Sequence, residues 1–278
     1  MSSPPSIIHT AHLFPELDAA LVHLLQSLSD EEWRAPTIAP GWNVHHVAGH
    51  LLDTALRRLS LVRDSWRLWP AKPVSPQELV GVINELNALG VRVYGALSPA
   101  LLITLTEIVT PQLATYLARL DPMGPAAFPV SWAGEDASHN WFDIARELTE
   151  RWHHQQQIRL ATNRPGIMTP ALYGPVLDTF MRVLPYTYRE VDAPDGTSCD
   201  VVVPGDCGGR WRIVRRERRW TMIEPHGDSS AATAVIPDDL AWRLFTKGAT
   251  RAEARARVVL HGESRLGAVV LDALAIVG

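Results

Sequence analysis

The stretch Ala145–Ala161 reads ARELTERWHHQQQIRLA. It holds no Pro, no Gly and almost no β-branched residue, so it predicts a helix. Glu150 and His154 stand four residues apart within it. Four residues advance a helix by one turn plus about 40°, so both side chains leave the same face. A carboxylate and an imidazole one turn apart can grip a metal ion if a third ligand comes from elsewhere.

Upstream, the apolar spacing of Leu17, Leu21, Leu24, Leu25 and Leu28 predicts a helix from Phe14 to Leu28, opened by Pro15. The segment SDEEWRAPTIAPGWN breaks regular structure and leaves Asn43 to cap a second helix, expected from Val44 to about Arg67 with Pro70 just beyond. Its stripe is Val47, Leu51, Ala55, Leu59 and Val62, and it carries His45, His46 and His50. SPQE (Ser75–Glu78) reads as a capping box opening a third helix to about Ala96. Ser98-Pro99 opens a fourth, which Thr110-Pro111 either kinks or restarts toward Leu120. DPMGPAAFPVSWAGEDASHN reads as loop, and the key helix runs from about Trp141 to Thr162, stopped by NRPG. Long amphipathic helices with no strand between them imply a helical bundle over roughly the first 165 residues.

Beyond it the pattern changes. Thr169–Tyr188 reads as one bridging helix; SCDVVVPG, GRWRIVRRE and RWTMIEP then read as short strands, with another at Arg257–His261. The alternation around Trp211 and Ile213 suggests a sheet whose arginines form one wet face. Helices are expected at Asp238–Lys247 and Arg265–Leu274. The expected division is a bundle over 1–168, a linking helix over 169–195 and a small α+β domain over 196–278.

The third ligand must sit on a bundle helix and point inward. His50, at the edge of the second helix's stripe, meets that requirement, and His46 and His153 are alternatives. Each imidazole also has a plain reading as a hydrogen-bonded core histidine, and Glu150 could be a helix-surface charge beside Arg146 or Arg151. Asp53 and Gln157 each follow a candidate histidine by three residues and could accept hydrogen bonds from it. Trp132 and Trp141 could wall a cleft. Arg146, Arg151 and Arg159 read as structural or solvated charges.

The chain has 278 residues, 46% hydrophobic and 20% charged, with a net charge of −4. That balance gives no electrostatic reason to expect a nucleic-acid partner. Cys199 and Cys207 are too few for a disulfide framework and read as reduced thiols of a cytoplasmic protein. The N-terminus shows no signal-peptide pattern, and no apolar run reads as a membrane span. Nothing in the pattern marks an oligomeric state. A set of two His and one Glu suits Zn²⁺, with Ni²⁺, Fe²⁺ or Mn²⁺ also compatible, and leaves a coordination position open.

GWNVHHVAGHLLD (Gly41–Asp53), SWAGE (Ser131–Glu135) and TERWHHQQQIR (Thr149–Arg159) together resemble the DinB-like bundle superfamily, and within it the mycothiol-dependent maleylpyruvate isomerase family. The resemblance implies a DinB-like four-helix bundle followed by a sterol-carrier-like α+β domain, with His50, Glu150 and His154 as metal ligands. It also implies an enzyme in which a low-molecular-weight thiol such as mycothiol, held as a thiolate on the metal, attacks a small electrophilic substrate. Addition across a cis double bond permits rotation, and elimination returns the thiol; in a transferase the adduct is released. A protein that binds metal or a small ligand without turnover, such as a sensor, would use the same ligand set, its coordination closed by His46 or His153. A bundle serving only as a scaffold is a third possibility.

Overall fold

In a computed structural model the described residues are 6–66, 76–227 and 229–276. The N-terminal region is helical: α1 (Phe14–Gln26), α2 (Asp30–Trp33), α3 (Val44–Arg58), α4 (Pro76–Tyr94), α5 (Pro99–Ala118) and α6 (Asn140–Ala161). Helices α1, α3, α5 and α6 pack on one another, and α4 lies against α3. Ser98 caps α5 and places Pro99 in its first turn, where a missing N–H costs nothing. Pro111 sits inside α5 without interrupting it. By length and composition α5 is apolar enough to cross a membrane, its 18-residue window having a mean hydropathy of 1.3. Here that apolar character serves packing against α1 and α3.

Helix α3 ends at Arg58 and continues as a π-helical turn over Leu59–Arg63. The expected end near Arg67, the following Pro70 and the cap at Ser75 lie outside the described residues. Helix α4 ends at Tyr94. Gly90 permits its close approach to α3, because a Cβ there would meet Asp53 Oδ2 at 2.2 Å.

The bridging segment is two helices, α7 (Pro170–Met181) and the short α8 (Leu184–Thr187). Pro185 cannot donate the hydrogen bond that one continuous helix would need at that point. A five-stranded sheet follows, β1 (Ser198–Val203), β2 (Gly209–Arg216), β3 (Arg219–Ile223), β4 (Ala232–Val235) and β5 (Val259–Gly262), in the order β3-β2-β1-β4-β5. The β1–β4 pair is parallel and the others antiparallel. Helices α9 (Asp238–Phe245), α10 (Arg251–Arg257) and α11 (Ser264–Gly267) complete the unit, and a 3₁₀ segment follows over Ala268–Asp272. β4 and α10 were not expected, and the last predicted helix is in fact a short helix and a 3₁₀ turn.

The arginine strand departs from the wet-face reading. Arg212 and Arg215 are buried along with Trp211, Ile213 and Val214. Arg212 stands opposite Asp200 in the β1–β2 register. Asp200, wholly buried, accepts hydrogen bonds from Arg212 Nε at 2.6 Å and Arg210 Nε at 2.8 Å. Burial works against its charge, but these two guanidiniums hold its carboxyl below the usual range.

Candidate metal centre

Helix α6 is buried along most of its 22 residues, since the bundle covers one side and α7 the other. Polar side chains on such a helix must find partners within the protein. Arg151 donates to Asp18 Oδ1 at 2.9 and 2.7 Å. Arg159 donates to the carbonyls of Arg164, Pro165 and Ala20. Both arginines are structural, as expected from the sequence.

The same helix presents Glu150, His153 and His154, with one ligand atom from each lying within 4.8 Å of the others. His154 Nδ1–H donates to Gln157 Oε1 at 2.9 Å. This fixes the tautomer and leaves Nε2 facing Glu150 Oε2 at 3.7 Å. His153 Nδ1–H donates to the Thr149 carbonyl at 2.9 Å, so its Nε2 is likewise the basic nitrogen.

Across the bundle, α3 brings in His50. Asn43 and His46 form a reciprocal cap at its N-terminus: His46 N–H donates to Asn43 Oδ1 at 2.9 Å, and Asn43 N–H donates to His46 Nδ1 at 3.3 Å. That bond commits His46 to the helix end. His45 Nε2 bonds the Leu97 carbonyl at 2.9 Å, and its ring meets Trp33 edge-on. One turn past His46, His50 is buried, and its ring lies 4.6 Å from that of His154, edge to face. Its Nδ1 is buried without a hydrogen-bond partner.

Burial sets the protonation of this group. His50 is pushed well below the ordinary imidazole range by burial and by His154, Arg57 and His153 nearby. Burial lowers His153 to about 4 and, together with His153, lowers His154 to about 3. Burial also raises the Glu150 carboxyl, against the pull of His154 and Arg146. Neutral imidazoles with free lone pairs, one orphaned ring nitrogen and a carboxylate form a donor set that fits a divalent cation of the Zn²⁺ type.

The cluster opens on a cleft of about 240 Å³ between α3, α4, α6 and the segment before α6, lined by His50 and Glu150 among others. Phe128, Pro129 and Ser131 supply the wall from that segment. Trp132 and Trp141, expected there, turn instead to Phe142, Trp132 edge-on and Trp141 stacked at 5.0 Å. Their aromatic surface is used in packing. Gly134, at φ +81°, lets this segment pass against Tyr186, whose ring a Cβ would meet at 2.4 Å. Asp53, the other expected acceptor, pairs with Arg57 at 2.9 Å on the α4 side. Gln157 is the acceptor the structure brings to the histidines.

Trp42, not singled out from the sequence, lies 4.9 Å from the His50 ring and stacks on His154 at 6.2 Å. Its place beside Asn43 in the GWN turn was the available signal. Also missed was the buried network in which Arg58 and Arg146 share Asp143 while Arg146 reaches Glu147 at 3.1 Å.

Fold and site together define a helical bundle with a buried imidazole–carboxylate cluster between its helices, joined to a small mixed-sheet domain. Residues 14–159 match the family described as the mycothiol maleylpyruvate isomerase N-terminal domain, and the chain belongs to that family. Its fold is also that of a solved structure, a histidine-to-alanine mutant of the mycothiol-dependent maleylpyruvate isomerase. The two are 14% identical, 90% of each chain is covered and the TM-score is 0.51. A second structure of that enzyme aligns over 84% of this chain and 86% of its own at a TM-score of 0.49 and 14% identity. Two uncharacterized proteins from two strains of Mycobacterium tuberculosis are each 28% identical over 156 residues, 56% of this chain. The chain spans 54% of the length of these curated relatives.

Proposed function

We propose that this protein is a thiol-dependent enzyme, an isomerase or S-transferase acting on a small electrophile. A divalent metal, Zn²⁺ first among the candidates, would be held by His50, Glu150 and His154, with mycothiol as the thiol co-substrate. One observation carries this reading: imidazoles from two separate helices meet at 4.6 Å beside a carboxylate that lines a cleft. When bound, such a cation supplies a Lewis acid that lowers the pKa of a thiol or water beside it.

The chain's own residues account for the rest. Enclosure keeps the imidazoles neutral and ready to ligate. Gln157 fixes the His154 ring through Nδ1, and Trp42 covers both rings on one side and limits access of water. The Arg58–Asp143–Arg146 network ties α3 to α6, holding the two ligand-bearing helices in register.

His153 supports a second reading, a metal-binding protein without turnover, because its ligand atom lies within 4.8 Å of those of Glu150 and His154. A fourth protein ligand would close the position a substrate needs. Elemental analysis of the purified protein beside His154→Ala, followed by a thiol-dependent isomerisation assay, separates the two. Bound metal lost in the variant, with thiol-dependent turnover in the parent, supports the enzyme. The same metal result without turnover favours the binding protein, and equal metal in both removes the site.

A further inference from the structure

The bundle carries a second cavity, a groove between α1 and α5 of about 650 Å³, against about 240 Å³ for the cleft at the cluster. The two share no lining residue. Alanines at Ala19 on α1 and at Ala114 and Ala118 on α5 leave the room between the helices and give the groove apolar walls. Its charge runs one way. Asp18 and Glu107 line it, and among the described lining residues there is no lysine or arginine. His12 and His23 are the other titratable groups in the wall.

Asp18 is buried, and its two oxygens differ. Oδ1 accepts both hydrogen bonds from Arg151 of α6, at 2.9 and 2.7 Å. Oδ2 is buried without a hydrogen-bond partner. An ionised carboxylate accepts through both oxygens, and buried polar atoms are ordinarily matched. With Oδ1 held on the α6 side, Oδ2 is the oxygen left to the groove. Burial pushes the Asp18 carboxyl up against the pull of Arg151, so a second cation beside it stabilises the ionised form. Thr110, also buried in this wall, gives its hydroxyl proton to the Thr106 carbonyl at 3.0 Å and keeps its lone pairs as acceptors. Among the described residues, neither Asp18 nor Glu107 belongs to a group that could hold a metal ion. The matching charge is therefore that of an organic cation.

We propose that the α1–α5 groove is a second ligand site, which takes a primary alkylammonium ion. The ammonium head donates to Asp18 Oδ2 and Thr110 Oγ1, and the alkyl chain lies along the alanines. Three N–H donors suit a wall of acceptors, whereas a carboxylate ligand would meet two acids and no lining guanidinium or ammonium. The site is separate from the metal centre and its occupation does not depend on turnover there.

Titration calorimetry on the full chain tests this at pH 8, where a free imidazole is uncharged and an alkylammonium is not. The ligands are n-hexylammonium, 1-hexanol and hexanoate, which share a chain length and differ in the head group. Saturable ammonium binding is expected, tighter than that of the alcohol by about tenfold or more, as charge-assisted hydrogen bonds provide. Absence of saturable ammonium binding, or equal affinity for the alcohol or hexanoate, would overturn the proposal. Asp18→Asn should weaken ammonium binding roughly tenfold and leave the alcohol unchanged; unchanged ammonium affinity removes Asp18 and the site with it. Because that variant also weakens the Arg151 pair and can fail to fold, Ala19→Leu fills the groove from an exposed position. It should abolish ammonium binding with the thermal midpoint retained, and undiminished binding would put the amine elsewhere on the molecule and end the proposal.

Discussion

Asp200 in the sheet is a wholly buried carboxylate and Glu150 in the bundle a half-buried one, and their surroundings differ in kind. Asp200 meets two guanidiniums through four hydrogen bonds of 2.5–2.8 Å and is held ionised. Glu150 stands 3.7 Å from a histidine that burial keeps neutral, and burial lifts its own carboxyl. Nearby, His50 Nδ1 has no partner at all. Buried polar groups in folded proteins are ordinarily matched. A matched set such as that at Asp200 joins strands, whereas an unmatched set of titratable groups beside a cleft is the mark of a place where something binds.

The contrast can be broken at its matched end first. Asp200→Ala removes the buried carboxylate that Arg210 and Arg212 share, and is expected to cost about 3–5 kcal/mol, read as a lowered urea midpoint. Zinc content per folded molecule should not change, because the cluster is in the other part of the chain.

The unmatched end is sharpened by pH. In the metal-free protein His153 and His154 titrate at about 4 and about 3, against 6.5 as the ordinary value. Between those values the unfolded chain binds more protons than the folded one, so stability falls as pH drops from about 6.5 toward 4. The loss should be on the order of a few kcal/mol. Asp200, with its carboxyl held low, contributes stability that is lost only as pH falls below about 4. Urea midpoints across this range should therefore show a histidine step first and a carboxylate step second. Removing the imidazole in His153→Gln should shrink the first step alone.

The smallest effect concerns His46, which has the same side chain as His50 but is bound to the helix end. Replacing it with Ala should cost about 1 kcal/mol through the lost half of the cap, with metal content unchanged. Metal loss in that variant would mean that the histidine acts at the cluster as well.

Much of the bundle and half of the site could be read from the linear chain. Glu150 and His154 were legible because helical geometry alone makes residues four apart neighbours, and His50 because it borders the apolar stripe of α3. His46 could not be told from His50 by spacing, since both lie on the same turn-to-turn row; what separates them is the Asn43 cap, a feature of the helix end. Trp132, in the segment before α6, and Trp141, at the first turn of α6, were misplaced because an aromatic residue in a loop or at a helix start carries no directional signal, and Phe142 proved to be their partner. The burial of Arg212 depends on Asp200, twelve residues away and brought opposite only by strand register. β4 was hidden because Ala232–Val235 is short and made mostly of small residues, its place depending on pairing with β1 and β5.

Trp152, one residue before the histidine pair, lies flat on Tyr173 of α7 at 4.6 Å and meets Trp242 of α9 edge-on at 6.1 Å. Tyr173 in turn donates through its hydroxyl to the Asp238 carbonyl at 2.7 Å and accepts from the Trp242 amide. The helix that carries the cluster is thus backed by rings from the C-terminal half, so severing the chain at the linker would strip an aromatic lining from α6 itself. The two halves share a spine of stacked rings that runs through Trp152.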